Sequence, residues 1–146
     1  MRFLSLALAG FFFVSISGWE TDFETAKKKA GKEHKLIVLN FSGSDWCIPC
    51  IKFSKQVLEN PVFREYAEKK LVLVNADFPR LKKNQLSKEL QKKNDQLADK
   101  YNPQGIFPLT LLLNADGKLL HTWEGFPNLT AEQFTNQIKE IADAGN

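Results

Sequence analysis

Methionine occurs once, at Met1, and histidine only twice. A methionine-rich metal site is therefore excluded. A metal centre built on the cysteines would have to draw on His34, His121 or another chain. Cysteine is also scarce, at two residues in 146. Two thiols exclude a disulfide-rich scaffold and a four-cysteine zinc site. They leave room for one pair. Charge of one sign is lacking too: the formal net charge is +3, too small to point to nucleic acid by itself. The composition, 43% hydrophobic and 25% charged, is ordinary for a globular chain. It excludes disorder, collagen and a polytopic membrane protein. The length suits one domain.

The longest apolar run lies at the start. Arg2 gives a minimal positive region, and Phe3 to Val14 is apolar except for Ser5 and Gly10. Small residues follow at Ser15, Ser17 and Gly18. This pattern predicts a signal peptide over residues 1–17, cleaved near Ser17, with the folded domain over 18–146. The run is short of the roughly 20 residues that a spanning helix needs. Export would place the chain where a cysteine pair can be oxidised.

The remainder alternates between helix and strand. Thr21 and Glu24 are spaced as a capping box for a helix that stops at Gly31. Lys35–Phe41 (KLIVLNF) reads as a buried strand, and a helix is predicted from Cys47 to Glu59. Asn60-Pro61 starts the next helix as N-cap and first residue. Leu71–Ala76 is a second buried strand. Leu86–Tyr101 is helical, with Leu86, Leu90, Leu97 and Tyr101 on one face and Asn94 as a polar interruption. Leu109–Leu113 and Lys118–Trp123 form a hairpin about the turn 114–117. A helix opening at Thr130 and Gln133 buries Phe134, Ile138 and Ile141. The order α-β-α-α-β-α-β-β-α implies an α/β fold: a central mixed four-stranded sheet flanked by helices.

The chemistry is concentrated in Trp46-Cys47-Ile48-Pro49-Cys50. The two thiols are three residues apart, after a strand and a loop, where a helix begins. That spacing lets them close a disulfide or separate as a dithiol. Backbone N–H groups left unpaired at a helix start stabilise a thiolate. Cys47 is therefore the expected nucleophile, exposed and of lowered pKa. Cys50, one turn inside, is expected to be buried and to resolve a mixed disulfide. Pro49 suits a first helical turn. Half of a metal site and an inert structural disulfide are the competing readings of the pair.

The segment FSGSDWCIPCIKF resembles the active-site segment of thioredoxins. Gly105-Ile106-Phe107-Pro108 resembles the loop that carries their cis proline, and LLLNADGK the hairpin that follows. The chain is identified as a member of the thioredoxin-like superfamily, similar to its envelope disulfide reductases. The extra N-terminal helix, GSDWC, and DFP after the second strand suit that branch. The resemblance implies a thioredoxin-like fold and a redox-active Cys47–Cys50 disulfide, with no other cofactor. It implies a cis bond before Pro108, which sets the Phe107 backbone beside Cys47 to pair with an extended substrate. Trp46 would flank and shield the dithiol. One departure matters: the buried aspartate of thioredoxins matches Asn40, which cannot titrate, and its lysine partner matches Leu73. Asn40 is then a hydrogen-bonded core amide.

The leading reading is a periplasmic, monomeric thiol–disulfide oxidoreductase acting as a reductase. Its partners would be disulfide-bearing exported proteins and an upstream membrane electron donor. Nucleic acid is not expected, and the membrane is met only through the signal peptide. A thiol oxidase or isomerase of the same fold is the first alternative. A copper- or zinc-binding module using the cysteine pair is the second. The segment from Arg80 to Lys100, with seven basic and three acidic residues, reads as a solvated helix face.

Overall fold

The computed structural model describes residues 18–145. The signal-peptide reading of 1–17 lies outside the described residues. Among the described residues, five α-helices and four strands follow the predicted order.

The first helix, α1 (Phe23–Glu33), buries Phe23, Ala26 and Ala30 along one face. Its N-cap is Asp22, not Thr21: the Asp22 carboxylate accepts the Thr25 N–H at 2.8 Å. Asp22 also meets Lys93, at 2.6 Å, and that second partner explains why it wins over its neighbour. The helix also runs past Gly31. It ends at His34, which adopts the left-handed conformation with φ 54°.

The central strand β1 (Leu36–Ser42) pairs in parallel with β2 (Leu71–Asp77) and antiparallel with β3 (Leu109–Leu113). The last strand, β4 (Leu119–Glu124), pairs antiparallel with β3, giving the order β2-β1-β3-β4. Glu20 adds an isolated parallel bridge to Val74 on the outer side of β2.

Alternation along β1 divides the core. Ile37, Leu39 and Phe41 pack with α1 and with Leu97 of α4 (Lys88–Tyr101). Val38 faces the other way, toward Phe53, Phe63 and Phe134. Those residues belong to α2 (Ile48–Phe53), α3 (Pro61–Lys70) and α5 (Ala131–Ala144). The sheet is thus sandwiched between two helical layers. Asn40 shares the Val38 face and stands opposite both Asn75 and Thr110.

The predicted helix from Cys47 to Glu59 is two pieces. Cys47 is the N-cap of α2, and Ser54–Leu58 form a π-helical turn. The wider turn lets Val57 and Leu58 both join Phe53 in the core. Asn60 caps α3 with Pro61 first, as predicted, and Thr130 and Gln133 form the capping box of α5. The start of α4 moves from Leu86 to Lys88 because Ser87 accepts the Leu90 N–H. Asn94, the polar interruption on its apolar face, is buried, and its amide donates to the Asp77 carbonyl at 3.0 Å.

Candidate redox site

The β1–α2 connection brings the two cysteines to the end of the central strand. They form a disulfide, with S–S 2.10 Å and Cα–Cα 5.2 Å. As N-cap, the Cys47 sulfur accepts the Cys50 backbone N–H at 3.2 Å. A donor aimed at that sulfur stabilises negative charge there once the bond is cleaved. The expectation of an exposed Cys47 is corrected: each cysteine is only 4% exposed. In the disulfide, the Cys47 sulfur turns toward Cys50 and its N–H. The residues left facing solvent are Ile48, 64% exposed, and Pro49.

A wall of aromatic rings stands beside the pair. The Trp46 N–H donates to the Phe78 carbonyl at 2.7 Å, and its ring meets Phe107 edge-on at 5.5 Å. Phe107 in turn meets Phe78, and Phe78 stacks on Phe41 of β1. The Arg80 guanidinium lies over the Trp46 ring, 3.6 Å from its centre. The Phe107–Pro108 peptide bond is cis, as the resemblance implies. Pro108 is buried, and its carbonyl accepts the Gly125 N–H.

Asp45 fixes the neighbouring loop. Its carboxylate accepts the N–H groups of Arg80 and Leu81, each at 2.9 Å, and the Asn84 amide. The Arg80 N–H is the main reason its carboxyl sits below the usual carboxylate range, with Asn84 and Leu81 adding to it. Asp77 holds the other side of the loop. It accepts the Ser44 N–H and hydroxyl, the Ser42 hydroxyl and the Phe78 N–H.

Beneath the disulfide, Cys50 lines a cavity of about 530 Å³ together with Asn40, Ser42 and Asn75. Asn40 is the expected hydrogen-bonded amide. Its nitrogen donates to the Asn75 side-chain oxygen at 3.2 Å, and its oxygen accepts the buried Thr110 hydroxyl at 3.0 Å. Leu73, two residues before Asn75, lies opposite Val38 in the apolar cluster on the same side of the sheet.

Trp46, next to Cys47 in the chain, thus meets Phe107, and Asn40 shares the cavity that Cys50 lines. Asn75, Phe78 and Arg80 were not singled out by sequence reasoning. Arg80 was counted with a solvated basic face, and only the fold reveals that it stacks on Trp46. His34 caps α1, and His121 packs against Trp123 at 4.5 Å between ring centres. Among the described residues, no three His, Cys, Asp or Glu side chains gather as a metal-holding group, and no helix is long and apolar enough to cross a membrane.

A mixed four-stranded sheet between two helical layers, with a two-cysteine pair at the head of a helix and a cis proline just before β3, defines a thioredoxin-like protein. The family model of the thioredoxin-like domain matches residues 23–142, and the chain belongs to that family. It is 38% identical over 102 residues to the disulfide bond reductase DsbH of Chlamydia pneumoniae, covering 70% of this chain and 59% of that protein. It is 27% identical over 126 residues to the thioredoxin-related protein DsbJ of the same organism, covering 86% of this chain and 35% of that one. A solved structure of a DsbH oxidoreductase matches with a TM-score of 0.78 at 32% identity, covering 86% of this chain and 84% of that chain. The chain spans 59% and 35% of the lengths of the two curated relatives.

Proposed function

We propose that the protein is an exported thiol–disulfide oxidoreductase that reduces protein disulfides in a bacterial envelope. The observation that carries this reading is the Cys47–Cys50 disulfide, with the Cys47 sulfur at the head of α2 accepting the Cys50 N–H. In the reduced protein, Cys47 thiolate attacks a substrate disulfide. One substrate sulfur leaves as thiolate, and a mixed disulfide forms. Cys50 then attacks the Cys47 sulfur, and the second substrate sulfur leaves. The substrate gains two electrons, and the protein is left oxidised. A membrane protein that supplies electrons would restore the dithiol. The apolar rim of Trp46, Ile48, Pro49 and Phe107 supports contact with an extended chain. Residues 1–17 serve as the export signal in this reading, and the domain of 18–146 acts as a monomer.

The reducing direction is supported by what lies between the cysteines. Ile48 and Pro49 offer no charge and no side-chain donor. The thiolate then has mainly backbone N–H groups to stabilise it. A less stabilised thiolate makes the dithiol the better reductant. The expected reduction potential is nearer the roughly −270 mV of thioredoxin than the roughly −120 mV of a strong oxidant. Equilibration against glutathione or dithiothreitol buffers, read by tryptophan fluorescence, measures it. A value above about −170 mV would favour the oxidase instead.

A further inference from the structure

The resolving step needs a proton acceptor, because Cys50 attacks as thiolate and Asn40 beside it cannot take a proton. The cavity that Cys50 lines contains one carboxylate, Glu59. Its position follows from the π-helical turn over Ser54–Leu58. Ser54 lies four residues after Cys50, one turn along the same helical face. The turn closes with the Glu59 N–H bonded to the Ser54 carbonyl at 2.8 Å, a five-residue spacing. That spacing stacks Glu59 over Ser54, where an α-helix would carry it around the axis. The Ser54 hydroxyl then donates to the Glu59 carboxylate at 2.9 Å. Cys50, Ser54 and Glu59 therefore share one wall of the cavity, with Asn40 and Asn75 on the other.

The nearby acids are less suited. Asp77 is occupied by the donors of Ser42, Ser44 and Phe78 and does not line the cavity. Asp45 is engaged with Arg80, Leu81 and Asn84. Glu59 accepts only the Ser54 hydroxyl among the side-chain bonds described. The other charged groups facing the cavity are Lys55 and Arg64. Both are cations, so Glu59 is the carboxylate that this lining offers as a proton acceptor.

We propose that Glu59, positioned by Ser54 and the π-helical turn, accepts the Cys50 proton through solvent in the cavity during resolution of the mixed disulfide. The Cys50 S–H bond breaks and its proton passes to the Glu59 carboxylate. The Cys50 sulfur bonds to the Cys47 sulfur, and the Cys47–substrate bond breaks. The departing thiolate is protonated by solvent, and Glu59 returns its proton to water. No further oxidant or reductant is needed. This role rests on the dithiol reading of the site.

The test uses the reduced protein and the aromatic disulfide of Ellman's reagent, whose thiolate absorbs on release. Attack by Cys47 frees one thiolate, and resolution by Cys50 frees a second. Stopped-flow absorbance follows the second release against pH. A wild-type protein that never frees the second thiolate would overturn the dithiol reading itself. With that release present, Glu59→Gln is expected to slow it at least about tenfold near pH 6, a modest share of what a positioned base supplies. Its rate should then climb about tenfold per pH unit and meet the wild type above the ordinary thiol value of about 8.5. The wild-type profile should be flatter, and added formate should speed Glu59→Gln more than the wild type. Superimposable profiles, or a loss equal at every pH and unmoved by formate, would overturn the role of Glu59.

Discussion

The Trp46 indole donates to the backbone carbonyl of Phe78 at 2.7 Å, tying the loop before the cysteines to the end of β2 across 32 residues of chain. The ring can lie there because residue 43 has no side chain. A Cβ on Gly43 would overlap the indole at Cε2, Cζ2 and Nε1. Gly43→Ala must therefore push the ring off Phe78 and Phe107. Overpacking of this kind costs about 1–3 kcal/mol. Urea unfolding should show that loss, with a change in tryptophan emission of the folded state. Wild-type stability in the variant would mean that the ring has another place to go.

Asp45 acts on the same loop from outside. It holds the N–H groups of Arg80 and Leu81, and Arg80 in turn covers Trp46. Asp45→Ala leaves those two amides without their acceptor. Amide hydrogen exchange should speed at Arg80 and Leu81, while Phe78, whose N–H bonds to the Ser42 carbonyl, stays protected. Unchanged exchange at Arg80 and Leu81 would show that the loop is held by something other than the carboxylate.

The legible part of this molecule was local. Strand and helix order followed from apolar spacing, and Asn60-Pro61 and Thr130/Gln133 are short-range caps that need no tertiary partner. The cysteine pair and the proline loop were visible as motifs. What escaped depends on residues far apart in sequence. Thr21 and Asp22 are both good caps, and Lys93, 71 positions from Asp22, decides between them. The π-helical turn leaves no periodic trace, since one shifted hydrogen bond in a short helix looks like continued helix. Glu59 was therefore hidden from the site. Asn75 escapes because a strand register cannot be read from one strand, and the resemblance marks only Leu73, as the position where the family's lysine partner is lost. Cys47 is buried in the closed disulfide, with its sulfur turned toward Cys50, and cysteine spacing alone carries no information on exposure.

The Asn40 network should be felt in stability. Thr110 is fully buried, and its hydroxyl donates to the Asn40 oxygen at 3.0 Å. Asn75 shares the Ser42 hydroxyl with Asp77, at 3.3 and 3.4 Å, so it retains a donor and loses less. Asn40→Ala strands the Thr110 hydroxyl and opens a small void. The expected cost is about 1–3 kcal/mol by chemical denaturation. In the Asn40→Ala background, replacing Thr110 by Val should recover part of it, because the stranded hydroxyl is gone. If Thr110→Val instead adds its full single-variant cost, the two side chains are not coupled.

The last prediction concerns acid. Asp22 accepts the Thr25 N–H as the cap of α1 and pairs with Lys93 of α4, so one carboxylate joins two helices. The Lys93 hydrogen bond chiefly, and then the Thr25 N–H, hold its carboxyl far below the usual range. A carboxyl whose folded value is depressed stabilises the fold above the unfolded value and loses that contribution as pH falls through the folded one. Lys93 is shifted upward by the same partner. Its contribution is complete below the ordinary lysine range and fades only as pH rises through the raised value. The stability gap between wild type and Asp22→Asn should therefore be level from about pH 6 to 9 and shrink below about pH 4. The substituted amide keeps a side-chain oxygen for the Thr25 N–H, so the gap reports the Lys93 pair rather than the cap. Lys93 is exposed and Asp22 only half-buried, so roughly 1 M salt should narrow the gap as well. Denaturation midpoints across the pH series measure it. A gap that persists unchanged at about pH 2 would show that the ion pair does not hold α1 against α4.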